Sequence, residues 1–192
     1  MDEDNIHLAQ AGDKEAVNQL VLTYQQPVFN LCYRMLGERT EAEDAAQEAL
    51  VKAVMKLDTY DPERPFKPWV LRIASNECID RIRRYKDTVS LDGMGDDGAW
   101  EWHASQSPTP EASLLQTEEQ TRIRALLDTL SPEDCTLVTL FYWEGFSYVE
   151  IGDATGLSVS AIKSRLFRAR RAMAEQLIQE ESYAYEHQSL NA

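Results

Sequence analysis

Along most of the chain apolar residues recur every three or four positions with polar residues between them, the period of amphipathic helices, and no strand-like alternation lasts more than a few residues. The pattern predicts an all-α chain. Asp13 is placed to cap a first helix reaching about Tyr24; Pro27 is expected to interrupt it, and a second helix with Phe29, Leu31, Cys32 and Met35 stops at Gly37. Thr40 and Glu43 have capping-box spacing for a helix over about 41–57, and Asp61, Pro62 and Pro65 form a turn before a long helix that ends near Tyr85. From Leu114 the period resumes. Ser131, Pro132 and Asp134 start a helix that Gly145 ends, Ser147 and Glu150 form a second capping box, Gly156 marks a turn, and a last helix runs from Ser158 or Ser160 to near Gln179.

Between these halves the period is lost: Gly93, Gly95, Gly98, Pro108 and Pro110 lie among Asp, Ser and Thr. The prediction is two small helical domains, a three- or four-helix N-terminal bundle over 1–87 and a C-terminal helix-turn-helix domain over 116–180, joined by a flexible linker over 88–115 and followed by a flexible tail over 181–192. Trp100 and Trp102 in the linker are read as docking on a neighbouring domain, with a functional contact as the alternative.

Composition narrows the chemistry. Cys32, Cys78 and Cys135 are odd in number, far apart and set among apolar neighbours, which predicts reduced, buried thiols; His7, His103 and His187 are equally dispersed, so no metal site is expected. No His or Cys has an acid or nucleophile partner nearby and no phosphate-binding glycine loop occurs, so neither catalysis nor a cofactor is expected. No run approaches the roughly 18 to 20 apolar residues of a membrane span, and Met1-Asp2-Glu3-Asp4 lacks the layout of a signal peptide. The chain is therefore expected to be soluble and cytoplasmic.

The formal net charge of the 192 residues is −14, which taken as a total argues against nucleic acid, because phosphate binding depends on Lys and Arg releasing counterions. The distribution reverses that inference. Residues 1–63 carry −8, 64–86 carry +5, 87–135 carry −9, 136–153 carry −3, 154–174 carry +5 without an acid, and 175–192 carry −4. Two cationic islands stand in an acidic chain.

The second island has the features of a helix-turn-helix, at about 147–172. Ile151, Leu157, Val159, Ile162 and Leu166 fall where two crossed helices touch, Gly152 permits close approach and Gly156 the turn. On the last helix Ile162, Leu166, Ala169 and Met173 form one apolar stripe, and Ser160, Ser164, Phe167, Arg168 and Arg171 lie opposite. The island holds no acid for i,i+4 pairing, and Phe167 sits on a face where solubility alone would exclude it. Arginines for guanine edges or phosphates beside an apolar group for a thymine methyl or sugar suit the major groove.

In the first island, Arg72, Arg83, Asn76 and Trp69 share one stripe, opposite an apolar arc of Phe66, Val70, Leu71, Ala74, Cys78, Ile82 and Tyr85. Cations, an amide and an aromatic on one face suit a separated strand; Trp69 has a second reading as a core aromatic. The helix over 41–57 mixes acids with apolar residues on a second face, Asp44, Glu48, Val51 and Met55 with Gln47 beside them. That face is either a protein-partner patch or a further face of the domain's own core.

Three stretches in this order resemble a bacterial extracytoplasmic-function (ECF) RNA polymerase sigma factor of the two-domain type, with regions 2 and 4: Ala42-Glu43-Asp44-Ala45-Ala46-Gln47-Glu48; Trp69-Val70-Leu71-Arg72-Ile73-Ala74-Ser75-Asn76 with Asp80, Arg83 and Arg84; and Ile162-Lys163-Ser164-Arg165-Leu166-Phe167-Arg168-Ala169-Arg170. The resemblance spans about Asp13 to Tyr85 and Leu114 to Gln179. It implies that Asp44, Gln47, Glu48 and Val51 meet the β′ clamp helices of core RNA polymerase, with the C-terminal domain on the β flap. It also implies that Tyr60, Asp61 and Arg64 help capture a flipped base, that Trp69, Arg72, Asn76 and Arg83 face the minus-ten element, and that Ser160, Lys163, Ser164, Phe167, Arg168 and Arg171 read the minus-thirty-five duplex. Promoter DNA and an anti-sigma protein are the further implied partners, without covalent chemistry, cofactor or membrane insertion. Pro68 and Lys163 depart from the usual family residues; the first turn of a helix tolerates proline, and lysine meets phosphate without bidentate guanine reading. The competing class is an operator-binding regulator with an N-terminal sensor, which has no need of the Trp69–Arg84 stripe.

The acidic segments are read as suppressing DNA affinity in the free chain. Neutralising acids between residues 87 and 115 should raise DNA binding by the free chain and steepen its salt dependence, measured by titration with duplex at several salt concentrations; an unchanged salt slope would reduce the surplus charge to solubility.

Overall fold

The computed structural model describes residues 2–91 and 118–190, with side chains over 4–86 and 120–179. The described residues are helical and contain no strand. Trp100, Trp102 and all but the first few residues of the expected linker lie outside them. In chain order the helices are α1 (Asp2–Gln10), α2 (Lys14–Leu36), α3 (Arg39–Met55), a 3-10 turn (Leu57–Thr59), α4 (Phe66–Leu91), α5 (Glu118–Asp128), α6 (Pro132–Tyr142), α7 (Tyr148–Thr155) and α8 (Val159–Leu190).

Several boundaries differ from expectation. Pro27 does not divide the first helix: α2 is continuous, its buried stripe of Leu20, Tyr24, Val28, Leu31 and Cys32 passing through the proline. Thr23, whose carbonyl would have bonded the missing N–H, lies on the exposed side, and core packing outweighs one lost bond. The start of α3 is capped by Glu38 rather than Thr40, the Glu38 carboxylate accepting from the N–H groups of Thr40 and Glu41 at 2.9 and 2.7 Å. Helix α1, absent from the sequence reading, buries Ile6 and Ala9; its Gln10 donates to the carbonyls of Leu57 and Tyr60, both at 2.9 Å, and so clamps the turn before α4. Helix α8 continues to Leu190, past the expected end near Gln179. The Asp13 cap, the Ser147–Glu150 capping box and the left-handed ends at Gly37 and Gly156 form as read.

Helices α1 to α4 enclose one core, and four rings hold the turn between α3 and α4: Tyr24–Phe66, Tyr60–Phe66, Tyr60–Trp69 and Phe66–Trp69 centroids lie 4.9 to 5.2 Å apart. Pro68, in the first turn of α4, is buried and costs no intrahelical bond. Helices α5 to α8 form the second unit. Gly152 belongs where it was expected, because a Cβ there would lie 3.1 Å from the Leu157 carbonyl and 3.8 Å from Ile162.

The two units share a seam. Arg124 of α5 donates through Nη1 to the carbonyls of Tyr33 and Arg34 at 3.2 and 2.9 Å, and through Nη2 pairs with Asp128 at 2.7 Å. A cation thus sits on the negative end of α2. Cys135 of α6 donates weakly to the Arg34 carbonyl at 3.6 Å, Lys67 reaches the nearly buried Glu144 at 2.9 Å, and Arg34 stacks on Trp143 with Cζ 4.9 Å from the ring centroid.

Gly37 has φ +78°, and a Cβ there would intrude on the Arg124 guanidinium; Gly156, at φ +75°, has nothing within 4 Å of that position. Gly156→Ala should cost about 1–2 kcal/mol from left-handed strain alone, and Gly37→Ala measurably more because it also displaces Arg124. Denaturant unfolding followed by circular dichroism checks this; equal losses would refute the role given to Arg124.

Candidate nucleic-acid interface

On α8, Ile162, Leu166 and Ala169 are buried and Met173 packs partly against them. Ser160, Lys163, Ser164, Phe167, Arg168 and Arg171 are all exposed on the other side, Phe167 at 63%. The Lys163 ammonium lies 5.3 Å from the centroid of Tyr148, which stacks on Phe141, so the start of α7 steadies this cation. Arg165 belongs to the fold instead: its Nε donates to Asp134 at 2.6 Å, and the Ser131 hydroxyl holds the other Asp134 oxygen at 2.9 Å. The expected lack of i,i+4 pairing on this face is corrected by Glu175, one residue beyond the basic island, which pairs with Arg171 at 2.8 Å. Arg168 has no ion-pair partner among the described residues.

The first stripe is exposed at Arg72, Asn76 and Arg83. Arg83 Nη2 lies 3.1 Å from Glu133 of α6, an ion pair across the seam between two solvent-accessible groups. Trp69 packs against Tyr60 and Phe66 as a core aromatic does, and part of its ring stays accessible to solvent. Tyr60 is 4% exposed and its hydroxyl donates to the Arg64 carbonyl, so it shapes the 60–64 turn from within the core. Asp61 and Arg64 are exposed; Asp61 accepts from the Glu63 N–H at 3.1 Å and lies 3.5 Å from Arg64 Nε. Tyr85, expected in the apolar arc, is 37% exposed.

The acidic face of α3 is a surface and not a further face of the core: Asp44, Gln47 and Glu48 are exposed, Val51 is 53% and Met55 76% exposed, while Ala42, Ala45, Ala46, Ala49 and Ala53 face the core. Behind it lies a network the sequence reading missed. Glu77 of α4 is buried and accepts from Lys52 of α3 and from Arg81 Nε at 3.0 Å. Arg81 also reaches Glu41 at 3.1 Å and Glu48 at 2.9 Å. At 100° per residue Glu77 and Arg81 project at about 20° and 60° from Phe66, inside the apolar arc; charged residues on a buried face were the available signal. Burial raises the Glu77 pKa, but hydrogen bonds from Lys52 and Arg81 outweigh it and hold the carboxyl below its ordinary value.

The sequence matches the family models "Sigma-70 region 2" over residues 20–88 and "Sigma-70, region 4" over 120–173. It is 34% identical over 181 residues to the ECF RNA polymerase sigma factor SigW of Bacillus subtilis (strain 168), covering 92% of this chain and 97% of that one. It is 34% identical over 180 residues to the RNA polymerase sigma-H factor of Pseudomonas aeruginosa, covering 90% and 91%. Among solved structures it resembles CnrH in complex with the cytosolic domain of CnrY, with TM-score 0.69 and 25% identity over 93% of this chain and 97% of that one. It also resembles the sigma factor RpoE in complex with the anti-sigma factor NepR from Bartonella quintana, with TM-score 0.65 and 25% identity over 83% and 95%.

Because its pKa is depressed in the fold, Glu77 contributes stability that is present above its ordinary value of about 4.5 and lost as pH falls through the lowered folded value. Glu77→Gln should therefore make the melting temperature fall less steeply with acid below about pH 4.5; parallel curves for the two proteins would refute this.

Proposed function

The chain belongs to the sigma-70 family as a factor of the ECF type, and from that premise we propose how its surfaces divide the work of initiation. As such a factor it binds core RNA polymerase, directs it to specific promoters and promotes strand opening. Residues 1–87 form the region 2 domain, 116–180 the region 4 domain, and 88–115 join them.

The observation that carries the residue assignments is the pairing of exposure with chemistry on two helices of an acidic chain. On α8, Arg168, Lys163, Ser164, Ser160 and Arg171 meet base edges and phosphates of the minus-thirty-five duplex, with Phe167 against a thymine methyl or sugar. Arg171 enters after exchanging Glu175 for phosphate, a small loss for an exposed pair. On α4, Arg72 and Arg83 track the backbone of the minus-ten strand, Asn76 hydrogen-bonds an unpaired base edge and the half-exposed face of Trp69 offers a stacking platform. Asp61 and Arg64 border the captured base, and Tyr60 shapes their turn from beneath. Asp44, Gln47, Glu48 and Val51 form an acidic and apolar patch for the β′ clamp helices, and the region 4 domain sits on the β flap.

Opening follows from differential affinity. Groups on α4 that bind unpaired bases have no equivalent contact with closed duplex, so they shift the equilibrium toward separated strands by the difference. The factor performs no covalent chemistry and works in the cytoplasm beside polymerase. The two similar complexes were solved with CnrY and with an anti-sigma factor, which supports an anti-sigma protein as a further partner here.

Transcription in vitro with core polymerase and a genomic promoter library should yield promoter-specific transcripts; core binding without any specific transcript would overturn the reading. Arg168→Ala should weaken minus-thirty-five duplex binding by roughly 10-fold or more with opening on a pre-bound complex little changed. Asn76→Ala should mainly slow opening. Equal effects of both on duplex affinity would refute the division.

A further inference from the structure

Arg81 lies on the side of α4 that faces α3, away from the nucleic-acid stripe. Its side chain is 13% exposed, yet its guanidinium reaches three carboxylates: Glu77 Oε1 at 3.0 Å on α4, and Glu48 Oε1 at 2.9 Å and Glu41 Oε2 at 3.1 Å on α3. Glu77, 2% exposed, is held from its other oxygen by Lys52. Glu41 and Glu48 are two helical turns apart and so lie along one edge of α3, beside the face that carries Asp44, Gln47 and Val51. A planar fork of five donors can engage all three acids at once, as an ammonium cannot.

We propose that Arg81 is a positioning residue for polymerase binding, fixing Glu48 in one orientation at the edge of the α3 face while buried Glu77 anchors Arg81 from behind. The proposal rests on the reading that this face meets polymerase. An exposed glutamate ordinarily samples several rotamers and loses that freedom on association, so a side chain ordered beforehand binds more tightly. Arg81 does this without cancelling the charge it presents. Its one positive charge is shared among three carboxylates, it engages the Oε1 of Glu48, and the Glu48 side chain remains 54% exposed. Glu77 keeps Arg81 from following Glu48 into solvent, which explains why a carboxylate is buried at a position where the arc of α4 is otherwise apolar.

Titration of the labelled full-length chain with core polymerase tests this. Arg81→Met should lower the affinity about fivefold and leave binding to a minus-thirty-five duplex unchanged. The loss should be largely absent when the same change is made in a Glu48→Gln background. Arg81→Lys, which keeps the charge and the anchor but not the fork, should fall between, and it serves as the test if Arg81→Met melts below the assay temperature. Tighter binding by Arg81→Met would overturn the proposal, since Arg81 would then compete with polymerase for Glu48. An equal loss with and without Glu48→Gln would also overturn it, leaving Arg81 a structural residue only. If Glu48→Gln by itself left polymerase affinity unchanged, the assignment of Glu48 to the interface would fail and the proposal with it, an outcome distinct from the other two.

Discussion

The guanidinium of Arg124 resting on the glycine end of α2 is the contact on which the described arrangement depends. A helix end leaves carbonyls without partners and carries partial negative charge. Gly37 opens that end by its left-handed turn and by lacking a Cβ, and Arg124 fills it, donating to Tyr33 and Arg34 carbonyls. Two helical units that would each bury a small core are thereby joined, with Leu127, Leu130 and Cys135 buried around the same contact. The seam brings Glu133 to Arg83 and Glu144 to Lys67, so α4 of one unit lies against α6 and α7 of the other.

Charge in this protein is divided by burial. Arg81, Arg124 and Arg165 are largely enclosed and each is matched by acids, since an unpaired buried charge would be far more costly than the pairing recovers. Arg72, Lys163 and Arg168 are exposed and keep their charge at the surface. The surplus of acid in the chain is thus compatible with binding nucleic acid, because several of the described acids serve as internal counter-ions while cations on other faces stay exposed.

Much of this was legible in the order of residues. Helix caps at Asp13, Ser131 and Ser147 and helix ends at Gly37 and Gly156 are local chemistry, set by a side chain and its next few backbone groups, and they formed as read. The faces of α8 followed from a period of 3.6 residues, and Phe167 came out exposed as expected. Apart from the Glu38 cap and the Arg171–Glu175 pair, which are local, the errors that follow share a cause: a distant partner overruled a local rule. Pro27 sits inside a helix because core packing holds α2 on both sides of it. Tyr60 is buried because α4 brings Phe66 and Trp69 against its ring. The network of Glu41, Glu48, Glu77 and Arg81 was missed because Arg81 lies 40 residues from Glu41 in sequence.

Sequence by itself therefore determined the helical class, the two basic islands, the caps at Asp13, Ser131 and Ser147 and which residues share a face, since each depends on neighbours within a few residues. Tertiary structure alone decided which face is exposed where two were apolar, as at Val51 and Met55, and which cations are committed to internal acids. It also decided that Arg124 closes α2. Those outcomes depend on groups brought within about 3 Å by packing, and at that range hydrogen bonding and desolvation outweigh any local preference.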